Sequence, residues 1–419
     1  MQNTTKNIAL YDTTLRDGSQ MEGISYSVGE KLEITRKLDE LGVTYVEGGW
    51  PGSNPKDEEY FRQARDLRLT NATIVAFSST RRANGATDGD PNLRALLDSE
   101  AQVLTLVGKS WDLHVDKVLR TTLDENLRMI ADSVSFLRKQ GRRVFFDAEH
   151  FFDGYHANPD YALSCLRAAV ESGAECLALC DTNGGATTEQ IAEATRLVRS
   201  QFAVDLGIHV HNDCDLAVAN SCAAIQVGAT QVQATINGYG ERCGNANMCS
   251  LIPVLKLKYG IDVISDEQLA KLTGISNYVS ELANITPNPR QPFTGLNAFT
   301  HKAGLHADAV GKVAESYEHI APDSVGNRSR VLVSELPAAP PSCRRRRSSA
   351  FHWVRVTQWP ARSCSRSRRW RAAAISMRAR KLHSSCCCDA SRRATSRPSS
   401  WSTSWCWSRS TGVRQRPVG

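Results

Sequence analysis

The stretch LDENLRMIADSVSFLRKQGRRVFFDAEH, residues 123–150, holds one complete helix-to-strand unit. In its first part, up to Gly141, apolar residues recur three or four positions apart, which predicts an amphipathic helix. The second part, RVFFDAEH, is a short apolar run with a polar end, which predicts a buried strand. The fold class follows from how often this unit is repeated.

Short apolar or β-branched runs occur eight times, and segments with helical spacing lie between them. The runs are NIALYD, VTYVEGG, ATIVAFSST, QVLTLVG, RVFFDAEH, CLALCDTNG, LGIHVHND and QVQATINGYG. Eight strands that alternate with helices over about 250 residues predict an α/β fold, the TIM (β/α)8 barrel. We expect this barrel to be the catalytic domain, over residues 7–260.

Polar residues at the carboxyl ends of the eight runs favour a closed barrel over an open doubly wound sheet. They are Asp17, Glu47, Arg81, Glu149, Thr182, His209, His211 and Asn245. A barrel gathers such ends on one face, where active sites form, whereas an open sheet spreads them along a row. No G-x-G-x-x-G motif follows the first run, which further weakens a dinucleotide-binding interpretation.

Four of these positions have the side chains of a metal site. His209 and His211 lie two residues apart on one predicted strand, so both face the same side. Asp17 follows the first strand and Asn245 the eighth, which are neighbours in a closed barrel. This oxygen and nitrogen set suits divalent Mg, Mn, Co or Zn with positions left open for substrate, although such histidines are often ordinary core residues. Arg16 offers a planar fork for a carboxylate, with a rim salt bridge as its alternative.

Three stretches resemble the signatures of the DRE-TIM metallolyases, the family of isopropylmalate, homocitrate and citramalate synthases. They are YDTTLRDGSQ at 11–20, GIHVHND at 207–213 and NGYGERCGNAN at 237–247. Three further stretches are most similar to citramalate synthases of the long bacterial type. These are YVEGGWPGSNPKD at 45–57, FFDAEHFFDGY at 145–155 and LCDTNGG at 179–185. The resemblance covers residues 7–336.

The resemblance implies a role for each matching residue around a bound keto acid. It places the metal on the four residues named above and assigns Arg16 to grip the keto acid and polarise its carbonyl. Thr182 would bond the substrate carboxylate, Glu149 would order the site or a water, and Gln20 would neighbour the same pocket. As alternatives, Thr182 caps the helix that starts near Thr187, and Glu149 is a rim salt-bridge partner.

The same resemblance implies two proton-transfer residues beyond the barrel. In THKAGLHADA, at 300–309, His306 matches the acid/base at the acyl-CoA site, and Tyr317 matches a tyrosine that assists it. Packing is the alternative role for Tyr317. In the dimers of this family the region reaches the partner's barrel, so a homodimer is expected.

The implied reaction condenses acetyl-CoA with pyruvate and hydrolyses the thioester, giving citramalate and CoA in isoleucine biosynthesis. An isopropylmalate or homocitrate synthase, which would differ in the keto-acid pocket, stays an alternative. A lyase of the hydroxymethylglutaryl-CoA type is less favoured, because His306 and Tyr317 follow the barrel and argue for condensation.

Residues 261–336 read as a small helical linker subdomain, and the composition changes abruptly after them. From 337 to 419 there are 18 arginines and one lysine against one acid, a charge of +18, so the total of +7 leaves the preceding residues at −11. This tail also holds six of the eight tryptophans, with no periodicity. A basic nucleic-acid-binding tail is one interpretation.

We favour a shifted reading frame for the tail. Its three adjacent cysteines, Cys386 to Cys388, have the spacing neither of a metal site nor of a disulfide framework. Leucine codons CTG CTG CTG read one base later become TGC TGC TGC, three cysteines. We therefore expect residues 337–419 to be disordered, to replace a regulatory domain and to bind no nucleic acid.

The compartment is predicted from cysteines and hydropathy. Seven of the thirteen cysteines lie between Cys165 and Cys249 without a CxxC pair, as expected for free thiols. No apolar stretch of eighteen or more residues appears, and the amino terminus lacks an apolar signal core. We expect a cytoplasmic enzyme with small-molecule substrates and no membrane partner.

Overall fold

A computed structural model of the 419-residue chain describes residues 8–302 and 304–332. The predicted basic tail, and with it the frameshift hypothesis, lies outside the described residues. Within them no helix combines the length and the apolar character needed to cross a bilayer.

Eight parallel strands form a closed barrel in which each strand pairs with the next and the eighth pairs with the first. The strands are β1 (Ala9–Asp12), β2 (Tyr45–Gly49), β3 (Thr73–Ser79), β4 (Val103–Lys109), β5 (Arg143–Glu149), β6 (Cys176–Asp181), β7 (Asp205–Val210) and β8 (Gln231–Ala234). Six lie wholly within the predicted runs, while β4 and β7 each extend one residue beyond theirs, to Lys109 and Asp205. The predicted TIM barrel is therefore confirmed.

Helices connect the strands and continue after the last of them. They are α1 (Val28–Leu41), α2 (Pro55–Ala64), α3 (Pro91–Asp98), α4 (Asp112–His114), α5 (Leu123–Lys139), α6 (Phe151–Ala157), α7 (Pro159–Glu171), α8 (Thr188–Gln201), α9 (Ala217–Val227), α10 (Met248–Pro253), α11 (Asp266–Leu269), α12 (Leu272–Leu282) and α13 (Gly304–Lys312). Two π-helical turns follow α4 and α10, at Val115–Leu119 and Val254–Lys258. Short 3-10 turns lie at Gly18–Gln20, Thr87–Gly89, Ile236–Gly238, Ala314–Ser316 and Pro322–Val325.

Local sequence explains where several helices begin. Ser27 and Thr187 each form a capping box. The cap hydroxyl accepts the backbone N–H of the third helical residue, and the side chain of that residue accepts the backbone N–H of the cap. Pro55 and Pro159 occupy the first turns of their helices, where a missing N–H costs nothing. These start signals fix the first turn of four helices that lie between barrel strands.

The hydrophobic core has two layers. A small cluster fills the inside of the barrel, with Tyr11, Val75, Val103, Phe145 and Cys176 buried against one another. A much larger cluster lies between the outer faces of the strands and the surrounding helices. Since parallel strands are covered on both faces, their runs are almost continuously apolar. The few buried polar side chains inside the strands include Glu47, Thr105, Asp147 and Gln233.

The region after the barrel packs closely against it. Helix α12 contacts α1 and the turn Ile236–Gly238 that follows β8. Two short strands, β9 (Thr300–His301) and β10 (Arg330–Val331), pair in parallel beyond it. The division at residue 261 into a separate linker subdomain stays a prediction.

A buried ion pair ties α1 and α2 to the end of β2. The Lys31 ammonium group pairs with the Asp57 carboxylate and donates to the Gly48 carbonyl oxygen at 2.9 Å. The other Asp57 oxygen accepts the Trp50 backbone N–H at 3.0 Å. Lys31 is only 2% exposed. Loss of either partner would leave an uncompensated charge inside the protein.

We expect Lys31→Ala to lower the free energy of unfolding by about 3–5 kcal/mol, because Asp57 would remain buried without its cation. Lys37→Ala is the matched control on the same helix, since Lys37 forms an exposed pair with Glu40 and its loss should cost below about 1 kcal/mol. Denaturant unfolding of both variants measures the difference. Equal losses would show that the buried pair contributes no more to the free energy of unfolding than the exposed pair does.

Candidate active site

A cavity of about 340 Å³ opens at the carboxyl ends of the barrel strands. The structure brings seven of the ten predicted site residues into its wall. They are Arg16, Asp17, Gln20, Glu149, Thr182, His209 and His211. Asn245 lies directly beside them, since its backbone forms a bridge with that of His211. Residues far apart in sequence therefore meet at the predicted face.

The three strongest ligand candidates converge on one carboxylate. The Asp17 Oδ2 atom lies 3.4 Å from His209 Nε2 and 3.8 Å from His211 Nε2, and all three residues are buried. The Asn245 side-chain amide donates to the Tyr239 carbonyl oxygen at 3.1 Å, which leaves its Oδ1 atom unused. Asp17 Oδ1 and Asn245 Oδ1 have no hydrogen-bond partner among the described residues. Buried oxygens of this kind need a partner.

Protonation states in this cluster fit a divalent cation. Burial lowers the pKa of His209 to about 3 and also lowers the pKa of His211, so both imidazoles are neutral at physiological pH. Burial alone would raise the pKa of Asp17, but Arg16 and the two histidines hold it below its ordinary value. A carboxylate and two neutral imidazoles are the forms that ligate metals. The residues present therefore fit a divalent metal ion.

A tight turn after β8 presents Asn245. Its backbone N–H donates to the Gly238 carbonyl oxygen at 3.2 Å. Gly244, just before it, has a φ of +87°, and a Cβ there would lie 2.0 Å from that same carbonyl oxygen. Only glycine fits both constraints. This explains the glycine in the NGYGERCGNAN stretch by backbone geometry.

Two side chains hold the Arg16 guanidinium in place at the cavity wall. Its Nε donates to Glu47 Oε1 at 2.5 Å, and its plane lies over the Phe77 ring at 3.9 Å from the centroid. Glu47 also accepts the Tyr11 hydroxyl at 2.6 Å. The salt bridge considered as an alternative role for Arg16 is thus present, and it coexists with a place in the cavity wall.

The structure excludes the simpler alternative for Thr182 and shows the one for Glu149. Thr182 Oγ1 accepts the His150 backbone N–H at 2.9 Å, while Thr187 itself caps α8, so Thr182 is not the helix cap. Glu149 pairs with the Lys109 ammonium group, and both side chains line the cavity. Glu149 is therefore both a salt-bridge partner at the rim and a residue of the cavity wall.

Sequence reasoning missed four charged residues in the cavity wall, which are Lys109, Asp147, Glu241 and Arg242. Lys109 ends β4, and Asp147 lies inside β5, where burial raises its pKa to about 8. Arg242 bridges to Asp213 and donates to the Thr182 carbonyl oxygen at 2.7 Å. Their positions near strand ends were a usable signal for Lys109 and Asp147. Arg242, on a loop, offered none.

One strand-end residue points away from the cavity. Arg81 lies beyond the end of β3, as expected, but its guanidinium pairs with Glu125 and Asp132 of α5. Its predicted place just beyond a strand end is confirmed, but its side chain does not line the cavity. The two carboxylates of the neighbouring helix offer stronger partners than the open cavity does.

The two proton-transfer candidates lie together but apart from this cavity. The His306 and Tyr317 rings stack with centroids 4.3 Å apart. His306 is exposed and Tyr317 is 49% exposed, so neither is a packing residue of the core. Neither residue belongs to the wall of the 340 Å³ cavity in the same chain.

Comparison with known proteins assigns the family. The family described as HMGL-like matches residues 7–279. The chain belongs to this family. A second family, homocitrate synthase post-HMGL domain-like, matches residues 293–338, so the resemblance predicted from motifs is confirmed on both sides of the barrel's end.

Two curated relatives and one solved structure show how specific the similarity is. An (R)-citramalate synthase of Synechocystis is 55% identical over 334 residues, which cover 78% of this chain and 61% of the relative. A probable 2-isopropylmalate synthase of Methanopyrus kandleri is 35% identical over 328 residues, covering 78% and 63%. The chain thus spans about three fifths of the length of these relatives. The hydroxymethylglutaryl-CoA lyase structure from Pseudomonas aeruginosa shares the fold, with a TM-score of 0.57 at 18% identity, over 68% of this chain and 96% of that one.

We expect His209→Ala to weaken Mn²⁺ or Co²⁺ binding by more than about 100-fold, because even the outer partners of a metal ligand change affinity by 10–100-fold. Calorimetric titration of the chelator-stripped chain measures this affinity. His156→Ala on the exposed side of α6 is the matched control and should bind metal normally. Tight binding by the His209 variant, with its fold intact by circular dichroism, would rule out this site.

Proposed function

We propose that this chain catalyses the condensation of acetyl-CoA with pyruvate and the hydrolysis of the resulting thioester, as a citramalate synthase in isoleucine biosynthesis. One observation carries the proposal: an arginine held beside a carboxylate and two neutral histidines, at the mouth of a barrel 55% identical to a citramalate synthase. Such a site can bind a 2-keto acid and stabilise charge that develops on its carbonyl oxygen.

Arg16 binds the keto acid in this scheme. Its guanidinium is held by Glu47 and Phe77, so little side-chain entropy is lost when a substrate carboxylate or carbonyl arrives. Thr182, at the end of β6, offers its hydroxyl from the opposite side. Asp17, His209, His211 and Asn245 would hold the divalent cation, of the Mg, Mn, Co or Zn class. A cation bound there supplies Lewis-acid polarisation of the keto group.

Proton transfer is assigned to the residues beyond the barrel. His306, with Tyr317, removes a methyl proton from acetyl-CoA, the enolate carbon attacks the keto carbon of pyruvate, and the former keto oxygen takes up a proton to become the hydroxyl group of the product. Glu149 orders the water that cleaves the thioester, which releases CoA and the citramalate carboxylate. Since His306 and Tyr317 are exposed and outside the cavity of their own chain, we propose that they serve a second copy, in a homodimer.

The pocket beside Arg16 supports a small keto acid. The Trp50 and Phe77 rings meet edge to face with centroids 5.5 Å apart, and both line the cavity. Their bulk restricts space for a branched side chain, which favours pyruvate over 2-ketoisovalerate. An isopropylmalate or homocitrate synthase would need more room there.

We propose a cytoplasmic location for the enzyme. The cysteines of the described part of the chain all carry free thiols, as expected in a reducing compartment.

We expect CoA release from acetyl-CoA to require a keto acid, with kcat/KM highest for pyruvate among pyruvate, 2-ketoisovalerate and 2-ketoglutarate. A thiol-release assay on the metal-loaded chain measures all three. Equal or better turnover of 2-ketoisovalerate would move the assignment to isopropylmalate synthase. No keto-acid-dependent release in an intact, metal-bound protein would contradict the proposed reaction.

Arg16→Lys separates binding by a planar fork from binding by charge alone. We expect kcat/KM for pyruvate to fall roughly 100-fold, since a lost hydrogen bond between charged groups costs about 1.5–3 kcal/mol. Arg36→Lys, on the exposed face of α1, is the matched control and should have no effect. Retention of full activity by the Arg16 variant would show that the guanidinium does not contact the substrate.

A further inference from the structure

Lys109 and Glu149 occupy matching positions on neighbouring parallel strands. In the register of β4 against β5, Lys109 is the Cα partner of Glu149, and each is the last residue of its strand. Partner residues in a parallel sheet project to the same side. Both side chains line the cavity, and the ammonium group contacts Glu149 Oε2.

The backbone around this pair is fixed from both sides. Ser110, next after Lys109, donates to the Glu149 carbonyl oxygen through its backbone N–H at 3.2 Å and through its hydroxyl at 2.7 Å. Asn126 of α5 donates to the Lys109 carbonyl oxygen at 2.8 Å. These bonds hold the two strand ends side by side, so the backbone from which each side chain starts is fixed.

The pair faces the metal-ligand candidates across the barrel. Those ligands follow β1, β7 and β8, whereas Lys109 and Glu149 end β4 and β5. In a ring of eight strands, β4 and β5 lie opposite β8 and β1. A ligand held on the metal side would therefore present its free side to Glu149. Among the described residues, Lys109 is the one cation recorded in contact with that carboxylate.

This ion pair is partly buried. Its side chains are 21% and 25% exposed. Water reaches both groups and screens the pair in part, so the pair contributes less to stability than a fully buried one would. A lysine at this position thus has more effect on where the carboxylate points than on whether the protein folds.

We propose that Lys109 is a positioning residue, which acts through Glu149 by holding its carboxylate toward the cavity on the wall opposite the metal ligands. The inference rests on the proposed function, because Glu149 orders the hydrolytic water there. Without the ammonium group, the carboxylate can turn to solvent. A displacement of the order of 1 Å at a reacting centre costs about 100-fold in rate.

Lys109→Met and Lys109→Arg test the proposal in the full, metal-loaded chain. We expect Lys109→Met to lower kcat about 100-fold with little change in the KM for pyruvate. Lys109→Arg, which keeps the cation, should recover most of that loss. Melting temperature and Mn²⁺ affinity should remain those of the wild type. Lys117→Met, which removes an exposed lysine paired with Asp116, is the matched control and should be fully active.

The double variant Lys109→Met/Glu149→Gln shows whether Lys109 acts through Glu149. If it does, the double variant is no slower than Glu149→Gln alone. Losses that multiply, or an unchanged kcat in Lys109→Met, would overturn the proposal.

Crystal structures of Lys109→Met and Lys109→Arg test the positioning without any assay. We expect the Glu149 carboxylate to leave its wild-type place in the Met variant and to keep it in the Arg variant. An unmoved carboxylate in Lys109→Met would overturn the inference even in an active enzyme. A moved carboxylate in a chain that never releases CoA would instead support the inference and contradict the proposed function.

Discussion

Closure of the barrel between β1 and β8 is the constraint on which the site depends. The backbone N–H of Thr13 donates to the Ala234 carbonyl oxygen at 3.0 Å, and the Ile236 N–H donates to the Thr14 hydroxyl at 2.8 Å. These bonds join residues more than 200 positions apart. They bring the segment with Asp17 beside the turn with Asn245, so the ligand set exists only in the closed barrel. A stability defect at this seam would therefore appear first as lost metal affinity.

The charge balance of the buried cluster around Arg16 follows from its neighbouring carboxyl groups. Arg16 is one fixed cation, and Asp17 and Glu47 are carboxylates paired with it. Asp147 adds no full charge at neutral pH, because burial raises its pKa to about 8. The cluster is thus about one unit negative. A divalent cation would make it positive, and the carboxylate of a keto acid would restore neutrality. Metal first and anion second is the order that this arrangement favours.

Sequence periodicity was sufficient for the barrel and for the positions of most of the candidate metal ligands. His209 and His211 could be found because residues two apart on a strand share a face, and Asp17 because it follows a strand end. Side-chain direction beyond a strand is a different matter. The Arg81 side chain points outward because it pairs with two carboxylates of a neighbouring helix. The Lys109 side chain lies in the cavity wall, where it pairs with Glu149 on the next strand. Such choices depend on contacts with other elements, which no local pattern contains.

The described part of one chain separates the two halves of the proposed chemistry. The cavity holds the groups that would bind and polarise a keto acid, whereas His306 and Tyr317 stack on each other at the surface. In an isolated chain, the stacked imidazole and phenol rings both remain in contact with water, which weakens their electrostatic interactions. A second barrel that covered the two rings would exclude this water, and exclusion of water strengthens every electrostatic interaction at the reacting centre. In the proposed homodimer, deprotonation of the acyl donor would begin only after two copies have met.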